Sequence, residues 1–425
     1  MNKINLGNDL YLKGRIGWQG LSKNEYLDFS EYRIINASAL MNGYINWDNC
    51  GYITKERYEE AKEIMLEEND ILISKDGTLG KIGYVKNLPG KCSVASGIFV
   101  LRNTQKEILN FDYLYHILKS HIFKDFIYRN KSLGSTINHL YQRDLSNFEI
   151  ELPSITIQNK VSSVLNGIDN RISLNNKIIT ELESMTKTIY NYWFLQFEFP
   201  NEEGKPYKSS GGKMVWNEEL KREIPEGWKV GKVRELGNIV AGGTPSTKND
   251  NYYTENGIAW ITPDDLSNTN NKYITQGKRD ITEEGLKHSS TKLMPQGTIL
   301  LTSRAPIGYI GVALNDICTN QGFKSIIPDK KYGTEFTYYT IQAMIPYIKS
   351  LGSGSTFTEV SKEVVENIKV ILPDTNLISL FNTILDSIAR GRKKYEKENQ
   401  ELTSLREFLL PLLMNGQVGF KKIDE

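Results

Sequence analysis

Apolar residues follow two contrasting rhythms along this chain. Over residues 1–153 they come in short runs punctuated by Gly, Asn and Pro, as in Lys81-Ile-Gly-Tyr-Val85, which predicts short strands joined by turns. A helical stretch rich in aromatics follows from Phe111 to Tyr128, and then a strand ending at Leu152-Pro153. After that proline the rhythm changes to alternating steps of four and three: Val161, Leu165, Ile168, Ile172, Asn175, Ile179, Leu182, Thr186, Ile189, Trp193. Such a heptad seam predicts a long helix whose apolar face is too narrow to make a core alone and needs a partner helix.

The second half of the chain repeats the first. Asp70-Ile-Leu-Ile-Ser-Lys-Asp-Gly-Thr-Leu-Gly-Lys-Ile-Gly83 matches Thr298-Ile-Leu-Leu-Thr-Ser-Arg-Ala-Pro-Ile-Gly-Tyr-Ile-Gly311 at an offset of 228 (298 less 70), and Ile53-Thr54 matches Ile281-Thr282 at the same offset. Phe111-Asp-Tyr113 aligns with Phe336-Thr-Tyr338 at 225, Ser132-Leu-Gly-Ser135 with Ser350-Leu-Gly-Ser353 at 218, and Leu152-Pro153 with Leu372-Pro373 at 220. A drift of a few residues is what loop insertions inside a duplicated unit produce. Adding 220 to the seam gives Phe381, Leu385, Ile388, Arg392, Tyr395, Asn399, Leu402, Arg406, Leu409 and Leu413, so the second unit ends in the same kind of helix.

The two helices are expected to pair with each other. If they run antiparallel with ends matched, Asn175 lies level with Asn399, because 175 and 399 have the same sum as 161 and 413. Facing polar residues in a seam set register at some cost in stability; the alternative is that Asn is merely tolerated near a coil end. The expected layout is a mostly β globular head over 1–153, a helix over 154–196, a linker over 197–224, a second head over 225–373 and a second helix over 374–415. The linker assignment rests on the polar stretch Asn201 to Glu223, with Gly, Ser and Pro clustered near its start.

Composition narrows the function without naming it. Lys and Arg total 52 against 51 for Asp and Glu, so contact with a polyanion would have to come from local patches. Cys50, Cys92 and Cys318 have neither disulfide-framework nor zinc spacing, which fits a reducing cytoplasm. No apolar run is long enough to cross a bilayer, and the stretch Met1 to Gly14 lacks a signal-peptide core, so an unprocessed soluble protein is expected. There is no G-x-x-x-x-G-K-[ST] loop, no N-P-P-[YF] tetrapeptide and no glycine-rich turn suited to S-adenosylmethionine. Pro263-Asp264-Asp265 lacks a Glu-X-Lys to complete a nuclease metal site and reads as a turn cap, and His116, His121, His139 and His288 have no triad or metal spacing. We therefore expect a chain without catalysis of its own.

Several polar turns suit phosphate contact. Asp76-Gly-Thr-Leu-Gly80 and Arg304-Ala-Pro-Ile-Gly308 stand at equivalent places after a short strand, with Lys75, Thr78 and Arg304 as side chains that a turn presents outward. Gly242-Gly-Thr-Pro-Ser-Thr-Lys248 offers Thr244, Ser246, Thr247 and Lys248 in one loop. Lys119, Lys124, Arg129 and Lys131 form a candidate basic edge, although a solvated helix face would look the same.

Ile224-Pro-Glu-Gly-Trp228, Leu236-Gly-Asn-Ile-Val-Ala-Gly-Gly-Thr-Pro-Ser246, Ile258-Ala-Trp-Ile261, Cys318-Thr-Asn-Gln-Gly-Phe323 and the two Leu-Pro junctions occur in an order that resembles the specificity subunits of type I restriction-modification enzymes. In the first half, Gly14-Arg-Ile-Gly-Trp-Gln-Gly20 looks like the opening of a variant recognition domain, and Leu195-Gln-Phe-Glu-Phe199 like the exit from the central helix. The first head departs from the pattern by starting without the Trp-containing lead seen at Ile224–Trp228. The resemblance implies an α+β fold: two tandemly duplicated, mostly β target-recognition domains, each followed by a long helix, the helices pairing as an antiparallel coiled coil. It adds Arg15, Trp18, Gln19, Asn320, Gln321 and Lys324 to the candidate DNA contacts.

The seam residues Val161, Leu165, Ile168, Ile172, Asn175, Ile179, Leu182, Ile189, Phe381, Leu385, Ile388, Tyr395, Asn399, Leu402 and Leu409 become candidates for the coil and subunit interface. At about 1.5 Å per residue the first seam is roughly 50 Å long, enough to set two heads on half-sites one helical turn or more apart. The implied partners are duplex DNA, two adenine methyltransferase subunits and motor-nuclease subunits, with S-adenosylmethionine, ATP and Mg2+ held on those partners only. Two other readings compete: a coiled-coil scaffold that binds no DNA, which would show no salt-dependent duplex binding, and a divergent single-chain restriction enzyme, which would need the absent methylation and nuclease motifs.

Overall fold

A computed structural model of the chain describes residues 2–15, 20–41, 43–130, 139–352 and 359–419. Ser132–Ser135, Ser353 and Lys131 fall outside these residues. The molecule divides into two units, Met1–Ser173 with Glu401–Glu425, and Leu174–Gln400.

In the first unit an antiparallel sheet runs in the order Tyr11–Gly14, Ile98–Arg102, Ile71–Ser74, Ile82–Tyr84. Its central strands carry continuous apolar runs, Ile71-Leu-Ile73 and Ile98-Phe-Val-Leu101, because both faces are covered. Ile71 and Ile73 enter the core with Phe99, Leu101 and the helices Phe111–Lys119 and His121–Asn130, while Leu72, Ile98 and Val100 enter a second core with Ile35, Cys92 and Val94. That second core backs a sheet of Gly51–Ile53, Tyr32–Ile35 and Lys91–Val94, the last pair parallel. Asn2–Asn5 pairs with Glu149–Leu152, the strand that delivers the chain to the long helix Ile155–Tyr190.

The second unit repeats this plan. Gly237–Ala241, Lys324–Pro328, Ile299–Leu301 and Ile310–Ala313 form the corresponding sheet, extended by Tyr273–Ile274. Ile258–Ile261 lies parallel to Cys318–Thr319, as Tyr32–Ile35 does to Lys91–Val94, and Lys229–Lys232 pairs with Lys369–Leu372. One helix, Gly333–Ser350, replaces the two of the first unit, and the C-terminal helix runs from Thr375 to Met414.

The two long helices pair antiparallel. Within the second unit Phe381 packs on Trp193 and Phe194, with ring centroids 5.8 and 4.9 Å apart, while Asn175 Nδ2 donates to Asn399 Oδ1 at 3.0 Å. Rising numbers on one helix thus meet falling numbers on the other. Asn399 Nδ2 donates in turn to Asn176 Oδ1 at 2.8 Å. Within the first unit, Arg406 donates to Asp169 at 2.6 Å and Leu413 joins Val161 and Leu165 in the core. Seam residues Ile168, Ile172, Ile179, Leu182, Ile189, Leu385, Ile388, Tyr395, Leu402 and Leu409 are buried or half-buried on the same faces.

Two expectations need correction. Residues 197–224 are not a slack linker: Met214–Asn217 and Arg222–Pro225 form a hairpin, and Phe197 and Phe199 are buried against Trp228, with centroids 5.5 and 5.1 Å away. The aromatics spaced through this otherwise polar segment supply the burial that a linker lacks. Arg392, which the repeat offset places on the apolar seam, sits in a buried ionic network instead. Its Nε donates to Glu396 Oε1 at 2.6 Å, and its guanidinium also pairs with Glu183. Glu396 accepts from the backbone N–H groups of Lys272 and Tyr273, and the Lys272 ammonium reaches Glu335 at 2.5 Å. Burial raises the Glu183 carboxyl, but Arg392, Lys187 and Lys272 outweigh it and hold it below its usual range.

Candidate nucleic-acid interface

The glycine turns of the two units are built by the same bonds. Ser74 Oγ donates to the Thr78 carbonyl at 2.6 Å and accepts from the Lys81 N–H at 2.8 Å; Thr302 Oγ1 donates to the Pro306 carbonyl and accepts from the Tyr309 N–H, both at 2.8 Å. Gly80 and Gly308 adopt φ of 72° and 96°, the left-handed region that a side chain disfavours, and both lie flush on a helix. A Cβ at Gly308 would stand 2.8 Å from Ile345 Cγ2.

Each turn is held on two sides. Lys75 N–H donates to the Gly97 carbonyl and Leu140 N–H to the Lys75 carbonyl, and Ser303 and Val360 repeat the pattern with Gly322 and Ser303. A side-chain pair closes each frame, with the carboxylate on the turn in the first unit and on the facing loop in the second. Asp76 pairs with His139 in the first unit, whereas Arg304 lies 3.7 Å from Glu359 in the second. The chain distance from His139 to Glu359 is the repeat offset of 220, so applying that offset to the loop after Ser132 would have found both partners.

In the second unit several candidates converge. Gly242 and Gly243 let the loop run flush against its neighbours: a Cβ at Gly242 would lie 2.0 Å from the Asn320 carbonyl oxygen, and one at Gly243 2.3 Å from Ser290 Oγ. Gly243 N–H donates to the Thr319 carbonyl at 2.9 Å, Trp260 Nε1 to the Gly243 carbonyl at 3.0 Å and Tyr253 hydroxyl to the Pro245 carbonyl at 2.7 Å. So clamped, the loop exposes Ser246, Thr247 and Lys248, and Thr244 hydrogen-bonds Gln321. Gln321 adjoins Gly322, whose carbonyl accepts from Ser303 N–H at 2.8 Å, and Ser303 leads into Arg304. Residues far apart in sequence thus form one polar loop face around Thr244, Gln321 and Arg304, with Asn320 half-buried and its Oδ1 turned to the Gly322 N–H at 2.8 Å.

Other candidates are placed differently. Arg15 is only 2% exposed and its Nε donates to the Val94 carbonyl at 3.1 Å, so it holds the sheet end rather than a ligand. Trp18 and Gln19 lie outside the described residues. Lys324 is buried, with Nζ 3.0 Å from Glu359 Oε1 and 3.3 Å from Ser303 Oγ; it braces the turn from behind. Lys75 stacks its ammonium over the Phe99 ring at 4.8 Å, and burial lowers its pKa, while Thr78 is exposed at the turn tip. Lys119 leaves the basic edge: it is half-buried, lies over the Tyr115 ring and reaches Asp169 at 3.2 Å, with Lys124 and Arg129 still exposed. Asp265 caps the helix Pro263–Ser267 by accepting from Thr262 N–H at 2.8 Å, as a turn cap should. Among the described residues no group of His, Cys, Asp and Glu is arranged to hold a metal ion.

The chain matches the family model described as type I restriction modification DNA specificity domain twice, over residues 19–184 and 225–402. It is 37% identical over 215 residues to the MjaIX type I restriction enzyme specificity subunit of Methanocaldococcus jannaschii, a match spanning 49% of each chain. It is 25% identical to the MjaX specificity subunit of the same organism, described as putative, over 95% of this chain and 91% of that one. A crystal structure of a type I restriction-modification S subunit from M. genitalium superposes with a TM-score of 0.58 at 18% identity, covering 97% of this chain and 95% of that chain, a likeness of fold. With the two matched segments together spanning most of its length, the chain belongs to the family of type I restriction-modification DNA specificity domains.

Proposed function

We propose that this chain reads duplex DNA at two half-sites on behalf of the methyltransferase and restriction subunits of a type I restriction-modification complex, acting in the cytoplasm without catalysis of its own. The observation that carries the reading is the recurrence, in both units, of one hydrogen-bonded turn framed by loops whose exposed groups are hydroxyls, amides and cations. Such groups position a protein on phosphates, and base edges are read by whichever side chains the loops then present. The paired helices offer partner subunits a surface that repeats with the duplication. S-adenosylmethionine, ATP and Mg2+ would be held by those partners. Among the described residues no helix is long and apolar enough to cross a membrane.

The test is duplex binding across a salt series. Arg304→Ala is expected to weaken binding and to lower the slope of log K against log salt by about one, the loss of one phosphate contact. Glu359→Gln, which frees Arg304 from its partner, is expected to tighten binding. Unchanged binding in both variants would overturn the assignment of the turn, and salt-independent binding would return the chain to the scaffold reading. Charged residues at Leu182 and Leu402 together are expected to abolish co-purification of the methyltransferase subunit, while its retention would remove the coil as the docking site.

A further inference from the structure

Lys330, Lys331, Arg390 and Lys393 rim a cleft of about 780 Å3 in the second unit, between the start of helix Gly333–Ser350 and the first turns of the C-terminal helix. None of the four makes an ion pair among the described residues; Lys331 and Lys393 lie over the rings of Tyr332 and Tyr273, each at 4.8 Å. The carboxylates nearby offset them poorly. Glu335 is committed inward to Lys272, Asp329 Oδ1 accepts from the Lys331 backbone N–H at 3.0 Å, and Asp386 is the remaining acid of the lining. Hydroxyls of Ser379 and Thr383 line the wall between the cations. In a chain whose net charge is +1, this is a local concentration of uncompensated positive charge.

The first unit does not repeat this set of cations in sequence. At the repeat offsets, Asn170 and Ser173 stand where Arg390 and Lys393 do, and Gln105 and Lys106 stand for Lys330 and Lys331. The bonds that join helix to helix at this corner are shared: Gln158 accepts from Asn110 N–H and donates to the Ile108 carbonyl, both at 2.9 Å, as Asn382 accepts from Phe336 N–H at 3.1 Å and donates to the Tyr332 carbonyl at 2.8 Å. The cluster of four cations is therefore single-copy, whereas the fold around it is duplicated.

We propose that this cleft docks an acidic segment of a protein partner, one per chain. This rests on reading the glycine turn as the DNA side. The cleft is lined by Gln296, Gly297, Val312 and Ala313, at the end of the Ile299–Leu301 and Ile310–Ala313 hairpin opposite the turn 302–309, about 10 Å of strand away. A partner bound there leaves the turn free, and long-range attraction of an acidic surface to unpaired cations sets both its orientation and its rate of capture.

The experiment is titration of the full chain with fluorescein-labelled octaglutamate, with octaglutamine as the neutral control and a short DNA duplex as the competing macromolecule. Octaglutamate should bind once per chain and be weakened about tenfold by Arg390→Glu with Lys393→Glu, with duplex affinity unchanged. Lys330→Gln with Lys331→Gln, on exposed side chains of a loop, should weaken it in the same direction and decides the question should the charge-reversed chain not fold. Unchanged peptide binding, two peptides per chain, equal binding of octaglutamine, or a parallel loss of duplex affinity would each overturn the proposal, the last by making the cleft a nucleic-acid surface. Arg304→Ala separates the two readings, since it should alter duplex binding and leave the peptide untouched.

Discussion

The turns Ser74–Gly80 and Thr302–Gly308 make the same hydrogen bonds with few residues in common, and the side-chain pair that closes each frame has its carboxylate on the turn in the first unit and on the facing loop in the second. Below the turns the divergence grows. The second unit fastens its head to the long helices through Glu183, Arg392, Glu396, Lys272 and Glu335, all buried or half-buried, whereas the first uses Lys119, Asp169 and Arg406 beside a buried His116 bonded to Asn166 at 2.9 Å. Duplication has kept a hydroxyl inside the turn and the glycine that lies against a helix, Gly80 and Gly308, while at the other positive-φ position Gly77 gives way to Ala305, and it has let the charges change. A recognition scaffold gains from that division, because side chains that meet DNA or partners can vary over a fixed frame.

The largest effect expected from the difference is on stability. Arg392→Ala would leave Glu396 buried without its ion-pair partner and Glu183 with Lys187 alone, costing about 3–5 kcal/mol in the second unit. Arg406→Ala should cost the first unit less, because Lys119 still faces Asp169 and the pair is partly exposed. Hydrogen exchange resolved by unit would check this, and equal losses would remove the asymmetry. Next comes pH. Burial pushes the His116 imidazole down to about 4, against an ordinary value near 6.5. The unfolded chain therefore binds a proton before the folded one does. Stability due to the neutral ring is complete above about pH 6.5 and falls as pH drops toward 4, by roughly 2 kcal/mol at pH 5. Ile341 occupies the equivalent place at the repeat offset of 225, so urea unfolding at pH 7 and 5 should show this term in the first unit only, and His116→Asn should remove it.

Smaller effects test what the units share. Ser74→Ala and Thr302→Val each delete the hydroxyl that serves two backbone groups of its turn, and each should cost about 1–3 kcal/mol locally. Unequal losses would mean that the turns are not equivalent devices. Asn175→Leu with Asn399→Leu should raise thermal stability by about 1 kcal/mol while loosening helix register, read from cross-linking of cysteines placed on the two helices. A more stable coil with unchanged register would show that the apolar seam alone sets the alignment.

Much of this was legible in the chain. A seam with steps of four and three gives the long helices, and matching their ends aligns Asn175 with Asn399 before any coordinates. The glycine turns were visible because the strand before each is a run of apolar residues ending in Ser or Thr. The ionic network was not: Lys272 and Glu396 are far apart, and in sequence each looks like a solvated charge. Residues 197–224 misled because their polar majority hides the few aromatics that fold them. Arg15 and Lys324 misled in the same way, since a cation in a recognition motif reads as a ligand contact until its burial and its carbonyl or carboxylate partner are known.

The most direct test of the central claim, that each unit reads its own half of a split site, is mapping of N6-methyladenine across a genome after co-expression with the methyltransferase subunit. A motif with two defined halves and an unspecified gap is the expected result, and exchanging residues 225–373 for those of a relative should change one half only. A continuous motif, or a change in both halves after the exchange, would contradict it.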